Sequence, residues 1–562
     1  MASQAHEDVD LVIIGGGPTG LFSAVLARQL GLSVSVIGTQ DEKPSSLVVG
    51  RADALNARTQ QYFEVAGILQ ELRTKGIECN SKSFFSLAGG IDRQITSAYM
   101  YAKKPAASST FSQGDFQSRQ DKWWTGLEHC HHKHFLMIGQ PEVEKTLLQQ
   151  LDDRAPVHFG ERVVSIREEA GGRSVTVVTD AGRTTRAQFA IGADGAKSTV
   201  RQALGIGFQG TKPEMIWAVL DTFLDTDFPV CSEIITFQLE GQSRVSWIPR
   251  ERGMSRFYVL LEGDVTQARA EASIRQHLAP YRVDFTRTEW FSTFEVRERI
   301  ASSFLSQEQG RVMLAGDAAH VHSVNGGQGL NTGIADAFGL IWRLALACGK
   351  GNGDGVGQVA APAVSKLLGT YDLERRTVAQ DVINVAARLV RDTMHTAKQY
   401  VATIEKNAGY ITGKSRMGVS YHEIGSCLIV DSERDIWRAG KRCPDLVLTS
   451  PVISAEQEGQ RQWLYSLARY GRFLVLAIGA TPGDLHSLQR FRCAADVISL
   501  TPRGHGVHSA MDTSGTDEGL PTFASELVAP GDAFTVLVRP DMYIGFVGET
   551  KGAVDYLADL FP

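Results

Sequence analysis

The fold is decided by residues 9–38, which read VDLVIIGGGPTGLFSAVLARQLGLSVSVIG. Residues 9–14 are a short apolar run, typical of a buried strand in a parallel sheet. Residues 18–30 have helical spacing, and residues 33–37 are a second strand candidate. A strand, a helix and a strand in this order predict a βαβ unit and therefore an α/β fold.

The turn between the first strand and the helix carries a glycine motif. Gly15, Gly17 and Gly20 match G-x-G-x-x-G. In this motif one glycine makes a tight turn, one lets the backbone approach a pyrophosphate, and one brings helix and strand close together. The pyrophosphate is expected on the free N–H groups at the start of the helix, where Pro18 and Thr19 lie. In this setting the motif predicts nucleotide binding rather than a plain turn.

One expected part of the nucleotide motif is absent. Gly38 stands where an acidic residue usually ends the second strand and binds the ribose. Asp41 or Glu42, a few residues later, could supply the carboxylate instead, or the contact is lost.

Two later segments indicate which nucleotide binds. Residues 192–201, GADGAKSTVR, place Asp194 at a strand end, and residues 316–333, GDAAHVHSVNGGQGLNTG, place Asp317 at another. Asp317 can accept a hydrogen bond from a ribityl hydroxyl. The N–H groups of the turn that follows can face the electron-rich edge of a flavin, and this turn comprises Gly327, Gln328, Gly329, Leu330 and Asn331. Each segment alone is equally typical of an Asp-Gly turn or a helix cap, but all three in this order predict a flavin site.

Composition excludes several classes of protein. The chain has 562 residues with 43% apolar and 21% charged content, which excludes a mainly disordered or fibrous protein. The net charge of −6 gives no basic footprint for nucleic acid. No run approaches the ~18 apolar residues of a membrane span, and the polar N-terminus does not resemble a signal peptide. Seven scattered cysteines are typical of reduced thiols, so we expect a cytoplasmic protein.

Together these motifs resemble the class A flavoprotein aromatic hydroxylases (PHBH fold), most closely the phenol 2-monooxygenase branch. The resemblance covers nearly the whole chain. Arg51, in RADALNART (51–59), and Gln140, in HFLMIGQPEVEKTLL (134–148), match residues beside the flavin, and YDLERR (371–376) matches the stretch after the flavin helix. The resemblance implies FAD as cofactor, NADPH or NADH as co-substrate, and dioxygen and a small phenolic compound as substrates. Val324 departs from the family, which commonly has proline there.

The resemblance also implies a domain organisation. A Rossmann-like FAD-binding domain is expected at 1–205, with a substrate-side insertion at about 80–135, and it continues at 301–425 with long helices. An antiparallel substrate-binding sheet is expected at 206–300, and a thioredoxin-like domain at 440–562. The last domain lacks C-x-x-C, so we expect it to be structural or an oligomer contact, for example in a homodimer.

Attack of a flavin hydroperoxide on an aromatic ring is electrophilic, so a phenolate reacts far better than a phenol. The site should therefore contain an acceptor for the phenol proton. Asp53, Arg250 and Tyr258 match the residues that meet the substrate in the phenol hydroxylases, with the latter two at the family's spacing of eight. Alternatively, Asp53 caps a helix that begins near Leu55 and Tyr258 is an ordinary strand aromatic. Two further arginines, at 252 and 256, compete with Arg250.

Three weaker patterns carry no functional prediction. The run HCHHKH at 129–134 holds adjacent histidines, and adjacent ligands rarely converge on one ion, so no metal site is expected. AGYITGKS at 408–415 lacks the strand that precedes a phosphate-binding loop. His320 and His322 are expected to pack and hydrogen-bond near the flavin loop.

We therefore predict an FAD-dependent, NAD(P)H-consuming monooxygenase that hydroxylates a phenolic ring ortho to an existing hydroxyl. A first alternative is Baeyer–Villiger or dearomatising oxidation of a phenolic polyketide by the same cofactor. A second is a flavin-binding redox sensor or scaffold without turnover.

Overall fold

The computed structural model describes most of the chain. The described residues are 6–39, 50–79, 82–86, 115–120, 127, 129–169, 171–213, 215–228, 234–238, 244–323, 327–350, 361–393, 419–450, 461–503 and 520–561. Four features of the sequence analysis lie outside them, namely Asp41, Glu42, Val324 and the 408–415 segment. None of the helices in the described ranges is both long enough and apolar enough to cross a bilayer.

The first part of the chain builds a mainly parallel sheet with helices beside it. Its elements are β1 (His6–Ile14), α1 (Pro18–Gln29), β2 (Val34–Gly38), β3 (Ala54–Leu55), α2 (Ala57–Val65), α3 (Leu69–Arg73), β4 (Ile77–Cys79), β5 (Lys82–Ser86), β6 (Asp115–Gln120), β7 (Phe135–Met137), α4 (Gln140–Gln149), β8 (Val157–Phe159), β9 (Val163–Glu168), β10 (Val175–Thr179), β11 (Thr184–Gly192) and α5 (Thr199–Ala203). The predicted βαβ unit is confirmed, since β1 and β2 pair in parallel across α1.

The middle of the chain adds most strands of a second sheet and two long helices. Its elements are β12 (Phe208–Thr211), β13 (Ile216–Thr226), β14 (Ile234–Gln238), β15 (Arg244–Pro249), β16 (Ser255–Leu261), α6 (Gln267–Leu278), β17 (Val283–Glu295), β18 (Glu298–Ala301), β19 (Val312–Leu314), β20 (His320–Val321), α7 (Gly329–Ala347) and α8 (Ala361–Thr393). The sequence pattern predicts one long amphipathic helix over residues 371–408. In the structure α8 begins ten residues earlier, at Ala361, where Pro362 is compatible with a first helical turn, and residues 394–408 lie outside the described ranges.

Two large sheets come from these two parts. The first sheet has the order β8-β2-β1-β11-β10-β9, with β19 also beside β11. Strands β8, β2, β1, β11 and β19 are parallel, so their carboxyl ends meet at one edge. The second sheet has the order β17-β13-β16-β15-β14-β5-β6 and is antiparallel except where β14 pairs with β5. In α/β proteins ligands bind beyond the carboxyl edge of the parallel strands, which is the edge that the site below occupies.

The last part of the chain forms a third sheet. Its elements are β21 (Glu433–Arg434), β22 (Trp437–Arg438), β23 (Val447–Thr449), β24 (Arg461–Trp463), β25 (Phe473–Ile478), α9 (Pro482–Gln489), β26 (Ala495–Pro502), β27 (Thr522–Ser525), β28 (Phe534–Val538), β29 (Ile544–Gly548) and α10 (Thr550–Leu560). The sheet is mixed, with the order β24-β23-β27-β26-β25-β28-β29, and α10 packs on β28, β29 and α9.

A buried charge cluster joins the third sheet to the long helices. Glu374 on α8 accepts hydrogen bonds from Arg539 at 2.7 and 2.8 Å and from Arg343 on α7 at 2.7 Å. Arg539 also pairs with Asp541 at 2.5 Å. The side chains of all four residues are at most 4% exposed. Because each charge has an opposite partner, the cluster can stay charged away from water.

Candidate active site

A cavity of about 480 Å³ lies at the carboxyl edge of the first sheet. The glycine turn after β1, the segment after β11 and the start of α7 all border it. Its lining includes most of the residues predicted to bind the cofactor, namely Gly15, Gly17, Pro18, Thr19, Arg51, Gln140, Asp194, Asp317, Gly329 and Leu330. The three glycine-punctuated segments of the sequence therefore meet at one place.

The glycines of the first turn have the roles that the motif implies. Gly15 has φ +124°, and a Cβ atom there would lie 2.1 Å from the carbonyl oxygen of Ala193. A Cβ at Gly20 would lie 1.9 Å from the carbonyl oxygen of Gly15. A Cβ at Gly17, in contrast, would meet nothing within 4 Å, because this residue borders the open cavity. Of these three glycines, only Gly17 has free space for a ligand beside its backbone.

Thr19 connects this turn to α7 and to the loop that carries Asp317. Its side chain lies so close to Gly316 and Gly333 that a Cβ on either glycine would come within 2.7 Å of its hydroxyl oxygen. Helix α1 therefore packs tightly against α7 and against the loop that carries Asp317.

The two predicted aspartates occupy different positions in the cavity. Asp194 caps α5, since its Oδ2 accepts from the N–H of Thr199 at 2.7 Å and of Val200 at 3.1 Å. Its Oδ1 is buried and has no hydrogen-bond partner among the residues that the structure describes. Asp317 is accessible from the cavity, and the surrounding protein desolvates its carboxyl and raises its pKa. Both carboxyl groups are thus available to hydroxyl groups of a ligand.

Gln140 and Arg51 border the cavity from the side of α4. The N–H of Gln140 donates to the carbonyl oxygen of Ala52 at 2.9 Å, and its amide nitrogen donates to Glu144 at 2.7 Å. Burial raises the pKa of the Glu144 carboxyl. Arg51 has φ +57°, an unfavourable conformation for a residue with a side chain. The local backbone holds this arginine at the cavity in spite of that cost.

The start of α7 connects the cavity to the predicted substrate residues. Gly327 has φ +64°, Gln328 is the N-terminal flanking residue of α7, and the helix begins at Gly329. The Asn331 amide donates to the carbonyl oxygens of Ala54 at 3.0 Å and Gly327 at 2.7 Å, and it accepts from the N–H of Asn56 at 3.0 Å. One side chain therefore fixes the flavin loop to the segment that carries Asp53.

A second buried network supports the loop from below. Asp336 accepts from the N–H of Gly316 at 3.0 Å, contacts Nε2 of His320 at 2.7 Å, and pairs with Arg375 at 2.8 Å. His320 is thus used in hydrogen bonding near the loop, as predicted. Burial lowers the pKa of His322 to about 4, so its imidazole is neutral at physiological pH.

Asp53 and Tyr258 come together. The Tyr258 hydroxyl donates to Oδ2 of Asp53 at 3.1 Å, and Asp53 is 6% exposed. Burial, with the nearby Asp53 charge, raises the pKa of Tyr258, so its hydroxyl remains a donor. Asp53 does not cap a helix, because α2 begins at Ala57 and its cap is Asn56. The helix-cap interpretation of Asp53 is therefore wrong, whereas Tyr258 lies in β16 and its part in catalysis stays a prediction.

The arginine beside Asp53 is Arg256, whereas Arg250 lies one step further away. Nη1 of Arg256 is 3.4 Å from Oδ2 of Asp53 and 3.4 Å from the Tyr258 hydroxyl. Arg256 also binds Asp221 through two hydrogen bonds of 2.6 Å. Arg250 donates to Oδ1 of Asp221 at 3.1 Å, an oxygen it shares with Arg256, and pairs with Glu251. The spacing match at 250 thus identified a residue that supports the site through Asp221 and does not touch Asp53.

The 129–134 histidines form an ion-pair cluster with a residue that the sequence did not suggest. Nε2 of His132 lies 2.9 Å from Glu64, Nδ1 of His131 lies 3.8 Å from it, and these ligand atoms are all within 4.8 Å of one another. The two rings stack at 4.7 Å with an interplanar angle of 27°. Nearly parallel rings do not direct their nitrogens at one point, as a tetrahedral ion requires. That no metal binds there stays a prediction.

These residues fit an FAD molecule. The helix N-terminus at Gly17 offers free N–H groups for a pyrophosphate. The unpartnered Oδ1 of Asp194 and the carboxyl of Asp317 provide acceptors for hydroxyl groups, and the cavity volume lies in the range of cofactor sites.

Comparisons with known proteins agree with this geometry. The family model described as "FAD binding domain" matches residues 8–386. An FAD-dependent monooxygenase, ankC, of Aspergillus thermomutatus is 26% identical, covering 98% of each chain. A 3-hydroxybenzoate 4-monooxygenase of Comamonas testosteroni is 27% identical over 90% of this chain and 81% of the relative.

A solved structure shares the fold over the full length. The flavin-dependent monooxygenase PieE, determined with FAD and substrate, superposes with a TM-score of 0.72 at 20% identity, covering 98% of each chain. The family model spans well over half of the sequence, and the matched range includes all the residues that border the cavity. The chain therefore belongs to the FAD-binding-domain family and is a flavoprotein monooxygenase of the class A aromatic hydroxylases.

Proposed function

We propose that the protein uses NADPH or NADH to hydroxylate a small phenolic compound ortho to an existing hydroxyl group. The observation that carries the proposal is the contact between Asp53 and Tyr258, because it puts a buried proton acceptor beside the start of the flavin helix. The position of Asn331 supports the same conclusion, since it holds both parts of the site in one arrangement.

Asp53 is the group that accepts the phenol proton. The Arg256 fork is engaged by Asp221 at 2.6 Å, which leaves only the longer 3.4 Å contact for Asp53. Asp53 therefore keeps acceptor capacity for a substrate hydroxyl. Tyr258 donates to Asp53 and orients it, and Arg250 donates a further hydrogen bond to Asp221.

The cofactor residues have separate tasks in this proposal. Free backbone N–H groups at the N-terminus of α1 hold the pyrophosphate, Asp317 binds the ribityl chain, and N–H groups from Gly327 to Asn331 face the flavin ring. Arg51 and Gln140 contact the cofactor from the α4 side. Bound FAD, reduced by the nicotinamide, supplies the activated oxygen atom, while the protein positions the ring and excludes water.

The direct test is a panel of phenols with the purified FAD-loaded protein. NADPH and NADH oxidation, oxygen uptake and product structure are measured for each compound. Oxidation stimulated by a phenol, with one added ortho hydroxyl in the product, supports the proposal. An inserted ester oxygen or a dearomatised ring would instead show the alternative oxidation, and no stimulation by any phenol would favour a sensor or scaffold.

The role of Asp53 is tested by Asp53→Asn. This variant keeps the size of the side chain and removes the proton acceptor. We expect unchanged FAD content, continued NADPH oxidation, loss of hydroxylated product and release of hydrogen peroxide. Product yield per NADPH equal to that of the wild type would remove Asp53 from the mechanism.

We further propose that the third sheet and its helices form a thioredoxin-like domain with a structural role. Cys443 in this part is buried, and burial raises the pKa of its thiol, which disfavours the reactive thiolate. A homodimer and a cytoplasmic location stay predictions.

A further inference from the structure

Glu161 lies next to Gly38, the position at which the acidic residue that usually binds the ribose is absent. Strand β8 borders β2 in parallel, with Gly38 opposite Phe159. Two residues beyond Phe159, the N–H of Glu161 donates to the carbonyl oxygen of Gly38 at 3.1 Å. Glu161 therefore lies at the same carboxyl edge as Gly38, on the neighbouring strand.

Glu161 also lines the cofactor cavity. It borders the cavity together with Ile37 and Thr39, which flank Gly38. Arg183 holds its carboxylate with bonds of 3.0 and 3.1 Å, and the Thr179 hydroxyl donates to it at 2.9 Å. These bonds, of which the one to Arg183 is the larger cause, lower the pKa of Glu161 against the effect of burial.

The bonding of Glu161 leaves room for one more donor. Nη2 of Arg183 donates to Oε1, the Thr179 hydroxyl donates to Oε2, and Nε of Arg183 is shared between the two oxygens at 3.1 Å. Three donors thus make four contacts, and because a carboxylate has about four acceptor positions, a fourth donor can take one of the two that the shared Nε spans. A charged, fixed acceptor at the cavity edge suits a sugar hydroxyl. Gly38 itself offers no side chain, and a Cβ there would lie 3.4 Å from the N–H nitrogen of Gly16.

We propose that Glu161 binds a hydroxyl of the adenosine ribose of FAD, so that the acid comes from β8 instead of β2. The inference rests on the cavity binding FAD. It assigns a positioning role for the adenosine half of the cofactor and gives Glu161 no part in the chemistry at the ring.

The test compares the affinities of protein variants for FAD and its analogues. Binding is measured from the quenching of flavin fluorescence when the apoprotein is titrated with each ligand. Wild type, Glu161→Gln and the control Glu169→Gln are titrated with FAD, with FAD carrying 2′-deoxy- or 3′-deoxyadenosine, and with FMN. We expect Glu161→Gln to weaken FAD binding about 10-fold, the size of one hydrogen bond to a charged group, and to leave FMN binding unchanged. One deoxy analogue should bind the wild type as weakly as FAD binds the variant, with no further loss in Glu161→Gln. Glu169, which bonds Thr176 outside the cavity lining, should give a variant that binds like wild type.

Other outcomes contradict the inference in distinct ways. If Glu161→Gln weakens the binding of FAD and of FMN equally, Glu161 has only a structural role. Arg183→Met, which removes the ion pair, is the reference for such a structural effect. If Thr39→Val shows the deoxy pattern and Glu161→Gln does not, the threonine hydroxyl binds the ribose. A wild-type protein that takes up no FAD would overturn the cofactor assignment itself, and not just this residue's part in it.

Discussion

At the scale of single residues, the family resemblance named Asp53 and Tyr258 as substrate residues, but its spacing did not select the arginine that lies beside them. The strand geometry contained the missing signal. Residues 256 and 258 both lie in β16, and residues two apart on a strand point to the same face. Arg256 therefore had to lie on the Tyr258 side. Asp221, on the adjacent β13, pairs with Arg256 across the sheet at a register that no local pattern shows.

Arg256 should be needed for productive hydroxylation. Arg256→Lys keeps the positive charge but cannot reach both Asp221 and Asp53 with a planar fork. We expect normal FAD binding, an increased share of hydrogen peroxide, and kcat/KM for the phenol lower by about tenfold, the effect of one charge-assisted bond. The matched control is Arg252→Lys, since Arg252 pairs with Glu289 at the surface. Equal coupling in both variants would contradict the assignment.

Glu64 should make stability depend on acid pH. Burial alone would raise its pKa, but hydrogen bonds from His131 and His132 lower it to about 2, from an ordinary value of 4.5. A carboxyl with a lowered folded pKa stabilises the protein above its unfolded pKa, and this contribution declines as pH falls towards the folded pKa. The stability difference between wild type and Glu64→Gln should therefore shrink as the pH falls below about 5.

Urea unfolding at pH 6, 5 and 4 measures that difference. Glu71→Gln is the control, because Glu71 pairs with Lys75 at the surface. A difference that widens as the pH falls would show that the histidines do not stabilise the Glu64 charge.

At the scale of elements, the sequence predicted the strand-turn-helix motifs well because each depends on local chemistry. Gly15 and Gly20 are required by contacts within a few residues or with the adjacent strand. The bonds of Asn331 to Ala54 and Asn56 join residues about 275 positions apart, and no period or spacing reveals such contacts. The start of α8 was predicted ten residues too late, at residue 371 instead of Ala361.

Two glycines of the same turn should respond differently to alanine. At Gly20 a Cβ would lie 1.9 Å from backbone, so Gly20→Ala should disrupt the packing of α1 on β1 and lower the thermal midpoint. At Gly17 the added methyl meets no protein atom but enters the space beside the pyrophosphate. Gly17→Ala should therefore keep the thermal midpoint of the apoprotein and bind FAD more weakly. Circular dichroism melting and flavin titration separate the two effects, and equal melting loss in both variants would refute this distinction.

At the scale of the whole molecule, buried charges join the third sheet to the cofactor-binding part. Glu374 and Arg375 are neighbours on α8, yet they serve different partners. Glu374 bonds Arg539 of the third sheet region, while Arg375 bonds Asp336 beneath the flavin loop and the Tyr421 hydroxyl. Composition and strand pattern predicted a terminal sheet, but not that it would be joined to the rest through these ion pairs.

Removing one charge from this cluster should destabilise the protein strongly. Glu374→Gln leaves Arg343 and Arg539 buried with only Asp541 as a charged partner, and breaking a buried pair typically costs about 3–5 kcal/mol. We expect a large drop in the unfolding midpoint by calorimetry. Glu433→Gln is the control, because Glu433 pairs with Arg438 in solvent and should change stability little. A Glu374→Gln protein as stable as this control would show that the cluster does not hold the parts together.

The amide of Asn331 bears on how tightly oxidation of the reductant is coupled to hydroxylation. The Asn331 side chain bonds Gly327 in the loop before α7, and it also bonds the backbone of Ala54 and Asn56, next to Asp53. Because one amide bonds both segments, a displacement of the loop would also displace the segment from Ala54 to Asn56. We expect this coupling to preserve the separation between the oxygen donor and Asp53, and so to limit oxidation of the reductant that yields no hydroxylated product.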